Sequence, residues 1–360
     1  MVQGAVAIVA ADVVDDQDLA ALKNYHHEAI AMKITQVDLY QVEIPLIPAI
    51  AKYTQKIYDI TICRMQTSEG LTGIGETAVY HLTPSGRASL EQKAASFKDK
   101  DPLALDPFGE PGLFECALLD IAGQAYGIPM HRFFGQKVRD RVPVSYWSVP
   151  MEAEDTAREA EVGARLGFKN HKLKARSWNI VETVRLMKEA AGPDYTVGVD
   201  PNCEFKHLHV ATRLAAELEA FGTVSMFEDP VLKDHLDWYR LLRQKTHIPI
   251  ALHFGAPQAQ GARPCHGRDL LTALKAECID YANLGGTALE IKDAAAVAAA
   301  DDIPVWVQMG GVCLGVLAAY SVHIQSTIPN ATLPCDELPF VRIADVLGGS
   351  LVLGHWFSDT

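Results

Sequence analysis

The chain has 360 residues, 32 basic and 45 acidic, for a formal charge of −13, with 49% apolar and 21% charged residues. That length suggests about two domains and a large core, while the negative balance provides neither a basic stripe for nucleic acid nor a polybasic anchor for anionic membranes. The longest unbroken apolar runs, such as Ala294 to Ala300, fall far short of the roughly 20 residues that span a bilayer, and the evenly spread hydrophobic content argues against disorder.

The first 31 residues read as an extension, with an amphipathic stretch around Leu19 to Tyr25 and no catalytic role. No basic n-region precedes it, so the expected location is the cytoplasm. The seven cysteines stand singly without a C-x-x-C, which reads as reduced thiols in a reducing compartment.

Residues 32–141 read as an α+β block. Ile34 to Val42 and Ile57 to Thr67 alternate like strands, Ser68-Glu69-Gly70 is a turn, Leu71 to Val79 resumes as a strand, and Leu113 to Tyr126 is helical. From residue 142 the rhythm changes. Strands are expected to begin near Val142, Asn170, Tyr195, Val224, Pro249, Ile279 and Pro304, with helical patterns filling each gap. Thr156 and Glu159 have capping-box spacing. Seven βα units at a regular step imply a parallel sheet with right-handed crossovers. No G-x-G-x-x-G follows the first strand, so a closed barrel fits better than an open doubly wound sheet, with its chemistry where the strands end.

Lys172 and Lys174, two apart at one strand end, share a face. Inside a barrel their repulsion and desolvation would make a neutral amine accessible as a base. On a solvent-facing edge they are ordinary lysines. The next two strands end in Asp200-Pro201-Asn202 and Glu228-Asp229-Pro230. A lone acid there is often a helix cap, but a pair on adjacent strands is a natural oxygen site for a hard cation such as Mg²⁺. His253 ends the fifth strand where a third ligand would come, with a structural histidine as the alternative; imidazole would move preference toward Mn²⁺ or other transition metals. The sixth and seventh strands end near Gly285-Gly286 and Gly310-Gly311, where backbone can approach a ligand closely. Trp147 and Gln308 are candidate wall residues. The apolar, proline-rich loop Pro45 to Tyr53 is a candidate lid, with Lys52, Tyr53, Thr54 and Gln55 as polar partners for a substrate.

Taken in order, Gly73-Ile74-Gly75-Glu76, Gly112 to Asp120, Lys172-x-Lys174, Val199-Asp200-Pro201-Asn202, Phe227-Glu228-Asp229-Pro230 and Ile328-Pro329-Asn330 resemble the enolase superfamily, in its mandelate racemase/muconate lactonizing branch. The resemblance covers nearly everything from Met32 onward. It implies a modified TIM barrel, (β/α)₇β, over residues 142–334. An α+β capping domain would comprise residues 32–141 plus the C-terminal segment from about 335 to 360.

It also implies removal of the proton α to a substrate carboxylate, with Mg²⁺ as the expected cofactor and Mn²⁺ as the alternative. Asp200 and Glu228 match the first two metal ligands, and His253 stands where an Asp or Glu is usual. Lys174 matches the general base, Lys172 the cation beside it, and Asn202 a polar neighbour of the first ligand. Racemases of this branch place a His–Asp pair opposite the lysine. Here the seventh strand offers Gln308, and Asp280 has the dyad's offset from Gly285 while Asn283 falls nearer the strand end.

One base therefore remains, which favours dehydration of a sugar acid or related hydroxy acid, with the protonated Lys174 returning a proton to the departing hydroxyl. A cycloisomerase or racemase, and a degenerate barrel that binds without turnover, are the alternatives; a phosphate-binding barrel with Lys174 as a Schiff-base nucleophile is a further rival. The expected partners are a small carboxylate substrate and further copies of the chain, with no nucleic acid or membrane.

Overall fold

The computed structural model describes residues 32–336, apart from 45, 47, 55–57, 78–82, 111, 256–266, 309–312 and 314. The expected N-terminal extension and the tail after Asp336 lie outside the described residues.

The first unit is an antiparallel sheet of β1 (Ile34–Ile44), β2 (Tyr58–Thr67) and β3 (Thr72–Thr77), in that order. A short helix α1 (Pro48–Ala51) interrupts the β1–β2 connection, and α2 (Pro84–Ala95) and α3 (Gly112–Tyr126) follow. Gly70, at φ 80°, makes the β2–β3 turn as expected. The Gly73-Ile74-Gly75 motif has a steric cause. A Cβ at Gly73 or Gly75 would overlap the backbone oxygens of Ala117 and Leu113, so the two glycines let α3 lie directly on β3. Phe97, Leu113, Phe114, Met65 and Ile34 fill the core between them.

The second unit alternates strand and helix: β4 (Tyr146–Ser148), α4 (Ala153–Arg165), β5 (Asn170–Lys174), α5 (Ile180–Ala191), β6 (Thr196–Asp200), α6 (Leu208–Glu219), β7 (Val224–Glu228), α7 (Leu236–Arg243), β8 (Ile250–Phe254), α8 (Gly267–Lys275), β9 (Tyr281–Leu284), α9 (Ala288–Ala299), β10 (Val305–Val307) and α10 (Val316–Gln325). The seven strands are parallel and follow chain order across the sheet. The helices present single apolar stripes: Ile180, Thr183, Val184 and Met187 on α5, and Ala211, Leu214, Ala215 and Leu218 on α6, are buried at the i, i+3, i+4, i+7 spacing.

After α10 the chain returns as an eighth segment. Val305 N donates to Asn330 O at 2.9 Å and Leu333 N to Val305 O at 3.3 Å on one side. On the other, Cys335 N donates to Pro143 O at 2.8 Å and Ser145 N to Cys335 O at 3.0 Å. This segment joins β10 to the residues before β4 and closes the barrel. Cys335 and Asp336 lie on this closing segment.

Two carboxylates fasten the first unit to α10. Glu76 Oε2 accepts from Leu317 N at 3.0 Å, capping the start of α10, and Glu115 Oε1 accepts from Tyr320 Oη at 2.6 Å. Because α10 starts where β10 ends, this holds the capping unit at the mouth of the barrel.

Two expectations, the capping box and the start of β4, are corrected, and Asp280, left open by the sequence, is placed. The capping box is Thr287–Glu290 at the start of α9, whereas α4 starts at Ala153. Thr156 thus lies inside its first turn and donates to Glu152 O, while Glu159 accepts from Tyr146 Oη. Asp280 precedes β9, at the end of the strand away from the mouth, where it accepts from Arg243 Nε at 2.7 Å and Ile250 N at 2.9 Å. It holds two βα units together, at the opposite end of the sheet from the strand-end acids. The β4 strand begins at Tyr146, four residues after the expected Val142, because residues 143–145 pair instead with the closing segment.

All the described cysteines, Cys63, Cys116, Cys203, Cys278, Cys313 and Cys335, are buried. Among the described residues no helix is long and apolar enough to cross a membrane.

Candidate active site at the barrel mouth

Register decides which side chains share the barrel interior. Trp147 pairs with Lys172, Lys172 with Gly198, Lys174 with Asp200, and Gly198 with Met226. Glu228 pairs with Ala251, His253 with Asn283, and Asn283 with Trp306. Alternation then sorts the interior into two levels. Met226, Ala251 and Trp306, with Tyr281 and Leu333 against them, form an apolar floor. Above it, at the strand ends, stand Lys172, Lys174, Asp200, Glu228, His253, Asn283 and Gln308. His171 points the other way, with Nε2 2.6 Å from Ser148 Oγ and Nδ1 3.3 Å from Tyr195 Oη, outside the barrel among the helices.

The upper level is a charge network. Lys174 donates to Asp200 Oδ2. Lys172 donates to Glu228 Oε2 and, at 2.7 Å, to Asp336 Oδ2, with Asp200 Oδ2 at 3.4 Å. Asp336 also accepts from Trp306 Nε1 at 3.1 Å. Burial alone would depress the Lys172 pKa, but Asp336, Glu228 and Asp200 outweigh it and hold the ammonium well above its ordinary value. For Asp200, burial works against the charge, yet Lys174 and Lys172 prevail, and the backbone N–H of Asn202 adds a 2.9 Å hydrogen bond, so its carboxyl is held below the usual range. Glu228 goes the other way. Burial, only partly offset by Lys172 and aggravated by Asp200, Asp336 and Asp229, raises its pKa.

Backbone strain sits beside both acids. Asn202, Cys203 and Asp229 have φ of 48°, 68° and 45°, left-handed values that non-glycine residues seldom take. Asp229 is fixed by Lys233, whose Nζ lies 2.7 Å from Oδ2, and by His253 N, which donates to Oδ1 at 3.0 Å. Lys233 also donates to His253 O at 2.8 Å. The end of β8 is thus held through its backbone, while the imidazole has no hydrogen bond to a described residue. Its Nδ1 stands 3.7 Å from Glu228 Oε1, and its buried Nε2 has no partner. Burial, with Lys233, Lys172 and Lys174 nearby, pushes its pKa down and keeps the ring neutral, the state a metal ligand requires.

These features fit a divalent cation. Glu228, Asp229 and His253 offer donor atoms within 4.8 Å of one another. Asp200 is not one of these three; Lys172 joins it to Glu228, with Nζ 3.4 Å from Asp200 Oδ2.

Seven parallel strands and the closing segment make eight staves, so β9 lies opposite β5. The wall facing Lys174 carries amides. Asn283 Nδ2 donates to Glu228 Oε1 at 2.9 Å and to Gln308 Oε1 at 2.6 Å, while Asn283 Oδ1 is buried without a partner.

The remaining expected site residues are spread around the mouth. Trp147 is buried beside Lys172's strand, packed with Ile50, Val149 and Met151 and, half-buried, Tyr53. Tyr53 Oη and Lys52 Nζ both donate to Asp155 on α4, which docks this part of the loop on the barrel. The Tyr53 hydroxyl is therefore occupied, and its ring, not its oxygen, faces the site wall. Asn202 enters through its backbone N–H. Asp336 was missed because its segment makes one irregular bridge, Val144 to Cys335, with no strand-like run to announce it.

Two cavities open at the other end of the barrel. One of about 600 Å³ is lined by Arg240, His247, Asp280 and Tyr281 among others, and one of about 290 Å³ by Pro143, Lys169 and Asn170 among others. Neither reaches the charged level.

The barrel, its cap and the strand-end acids and lysines define a capped (β/α)₇β protein with a buried charged cluster at its mouth. Residues 155–353 match the family model described as enolase C-terminal domain-like, and the chain belongs to the enolase superfamily, in the mandelate racemase/muconate lactonizing group. Among curated proteins it is 26% identical over 281 residues to an N-succinyl-L-Arg/Lys racemase of Bacillus cereus, covering 70% of this chain and 72% of that protein. It is also 26% identical over 218 residues to an arabinonate dehydratase of Saccharolobus solfataricus, covering 54% and 58%. Among solved structures, a dipeptide epimerase from Cytophaga hutchinsonii complexed with Mg and D-Ala-L-Val has a TM-score of 0.72 at 22% identity, covering 87% of this chain and 89% of that one. That likeness shows the fold.

Proposed function

We propose that the chain is a divalent-metal-dependent lyase that removes the proton α to the carboxylate of a sugar acid or related hydroxy acid and expels the β-hydroxyl. The observation that carries this reading is the asymmetry of the site. Lys174 stands on one wall, and the opposite wall presents the paired amides of Asn283 and Gln308. Amides hold and orient; they do not take a proton. Racemisation needs a base on each face of the α-carbon, whereas β-elimination needs only one.

Asp200 and Glu228 would hold the cation, with His253 beside them, and Lys172 would add a fixed positive charge. A divalent cation there supplies the charge that makes an α-hydrogen next to a carboxylate removable. Asp336 and the indole N–H of Trp306 fix where Lys172 stands, so its charge is preorganised. Lys174 takes the proton as general base. Once protonated, it is the group on the same face able to give a proton to the departing hydroxyl. His171 is shut out of that role by its position among the helices. The loop carrying Tyr53, docked on Asp155, and the wall at Trp147 exclude water from the base.

The relatives named as sugar-acid dehydratases support a polyhydroxy substrate. Cycloisomerisation also needs a single base, and product analysis separates the two. The test is a library of sugar acids incubated with the chain and Mg²⁺ or Mn²⁺, scored for 2-keto products. The proposed lyase gives a 2-keto acid with the wild type and none with Lys174→Ala.

A further inference from the structure

We propose that the cation site takes a first-row transition-metal dication in preference to Mg²⁺, with the His253 imidazole as a direct ligand beside Asp200 and Glu228. This rests on the metal-dependent reading above and narrows the identity of the ion.

The case begins with what His253 is not. A structural histidine ties its ring to a neighbour, as His171 does with Ser148 and Tyr195. His253 is only 8% exposed, yet its buried Nε2 has no hydrogen-bond partner. Its backbone, by contrast, is held at both polar atoms, by Asp229 Oδ1 and by Lys233 Nζ. The protein thus fixes the strand end and leaves the ring unengaged. Nδ1 faces Glu228 Oε1 at 3.7 Å, too far for a hydrogen bond and suited to two donors converging on one ion.

A second unpartnered atom lies alongside. Asn283 is the register partner of His253, and its buried Oδ1 has no donor. A metal-bound imidazole usually donates its other N–H to a carbonyl or carboxylate. If Nδ1 binds the ion, Nε2 carries that N–H, and Asn283 Oδ1 is a buried acceptor on the neighbouring strand.

The donor set then determines the ion. Two carboxylates and one imidazole carry one negative charge fewer than three carboxylates, which weakens the hold on a hard ion. Imidazole nitrogen favours the later dications over Mg²⁺.

The experiment uses the full chain freed of metal. Mg²⁺ and Co²⁺ affinities are measured by calorimetry, and Mn²⁺ is bound for pulsed electron paramagnetic resonance. The wild type is expected to show ¹⁴N coupling to bound Mn²⁺, and His253→Asp to lose it. The Co²⁺-over-Mg²⁺ preference should fall by about tenfold or more in His253→Asp. The spectrum of the wild type decides the question even if the variant fails to fold. Mn²⁺ binding that Asp200→Asn weakens but that shows no ¹⁴N coupling overturns this inference and leaves the metal-dependent reading standing. Failure of all three ions to bind in the millimolar range or tighter removes both.

Discussion

Lys172 donates to Asp336 at 2.7 Å, and this contact links the second barrel strand to the segment that closes the barrel. The same ammonium meets Glu228 and lies 3.4 Å from Asp200, so three buried carboxylates depend on it. Lys172→Met should leave Glu228 and Asp336 uncompensated, Asp200 keeping Lys174, and cost about 3–5 kcal/mol. Asp336→Ala should cost less, because Lys172 keeps Glu228. Urea unfolding measures both, and equal losses would show that Asp336 matters to closure as much as Lys172 does to charge.

The Asp229–Lys233 pair makes a comparable prediction one strand over. Both Asp229 oxygens are engaged, and its left-handed backbone is held beside Pro230. Lys233→Met strands a buried carboxylate, with an expected loss of about 3–5 kcal/mol. It also frees His253 O, so metal affinity should fall along with the unfolding midpoint.

Gly73 and Gly75 allow no side chain, since an added Cβ meets backbone oxygen on α3. Backbone cannot move aside as a flexible side chain can. Gly75→Ala should therefore push α3 off β3 and cost on the order of 3 kcal/mol or more. Calorimetry of the variant should show the loss, and limited proteolysis should map new cleavage to residues 32–126.

Stability should fall as the solution is acidified below pH 6.5. Burial lowers the pKa of His171 to about 3, and burial, with His131 and Lys137 nearby, lowers that of His323 to about 4. Both folded values lie beneath the unfolded value of about 6.5, so in that window the unfolded chain binds more protons and gains on the folded one. His323 alone contributes a loss on the order of 3 kcal/mol between pH 6.5 and 4. Glu115 acts in the opposite sense: burial raises it to about 6, so between pH 6 and 4.5 the folded state keeps a proton the unfolded state has lost. Urea midpoints at pH 7 and pH 4.5 should therefore converge in His323→Asn relative to the wild type.

The regular strand–helix pattern was legible because each strand is a short apolar run and each helix carries one stripe, and the expected starts at Asn170 and Val224 match the structure. The strand-end acids and lysines could be read because alternation puts Lys172 and Lys174 on one face and register brings Asp200 and Glu228 beside them. What escaped was what no periodicity announces. Asp336 reaches Lys172 across 164 residues on a segment without periodicity. The Asp229–Lys233 pair stood in the sequence at i, i+4 but outside any helix, where that spacing carries no rule. Asp280 had the expected offset from Gly285, yet four-residue β9 leaves it at the wrong end of its strand.

The most direct test is proton exchange at the α-carbon. A sugar acid or related carboxylate that binds the chain is incubated in D₂O with Mn²⁺ or Mg²⁺ and followed by proton NMR. The wild type should take deuterium into that position, or into the product. Lys174→Ala should slow incorporation by at least about a thousandfold while still binding the metal. Incorporation at the wild-type rate in Lys174→Ala, or undiminished incorporation after the metal is removed, would contradict the account.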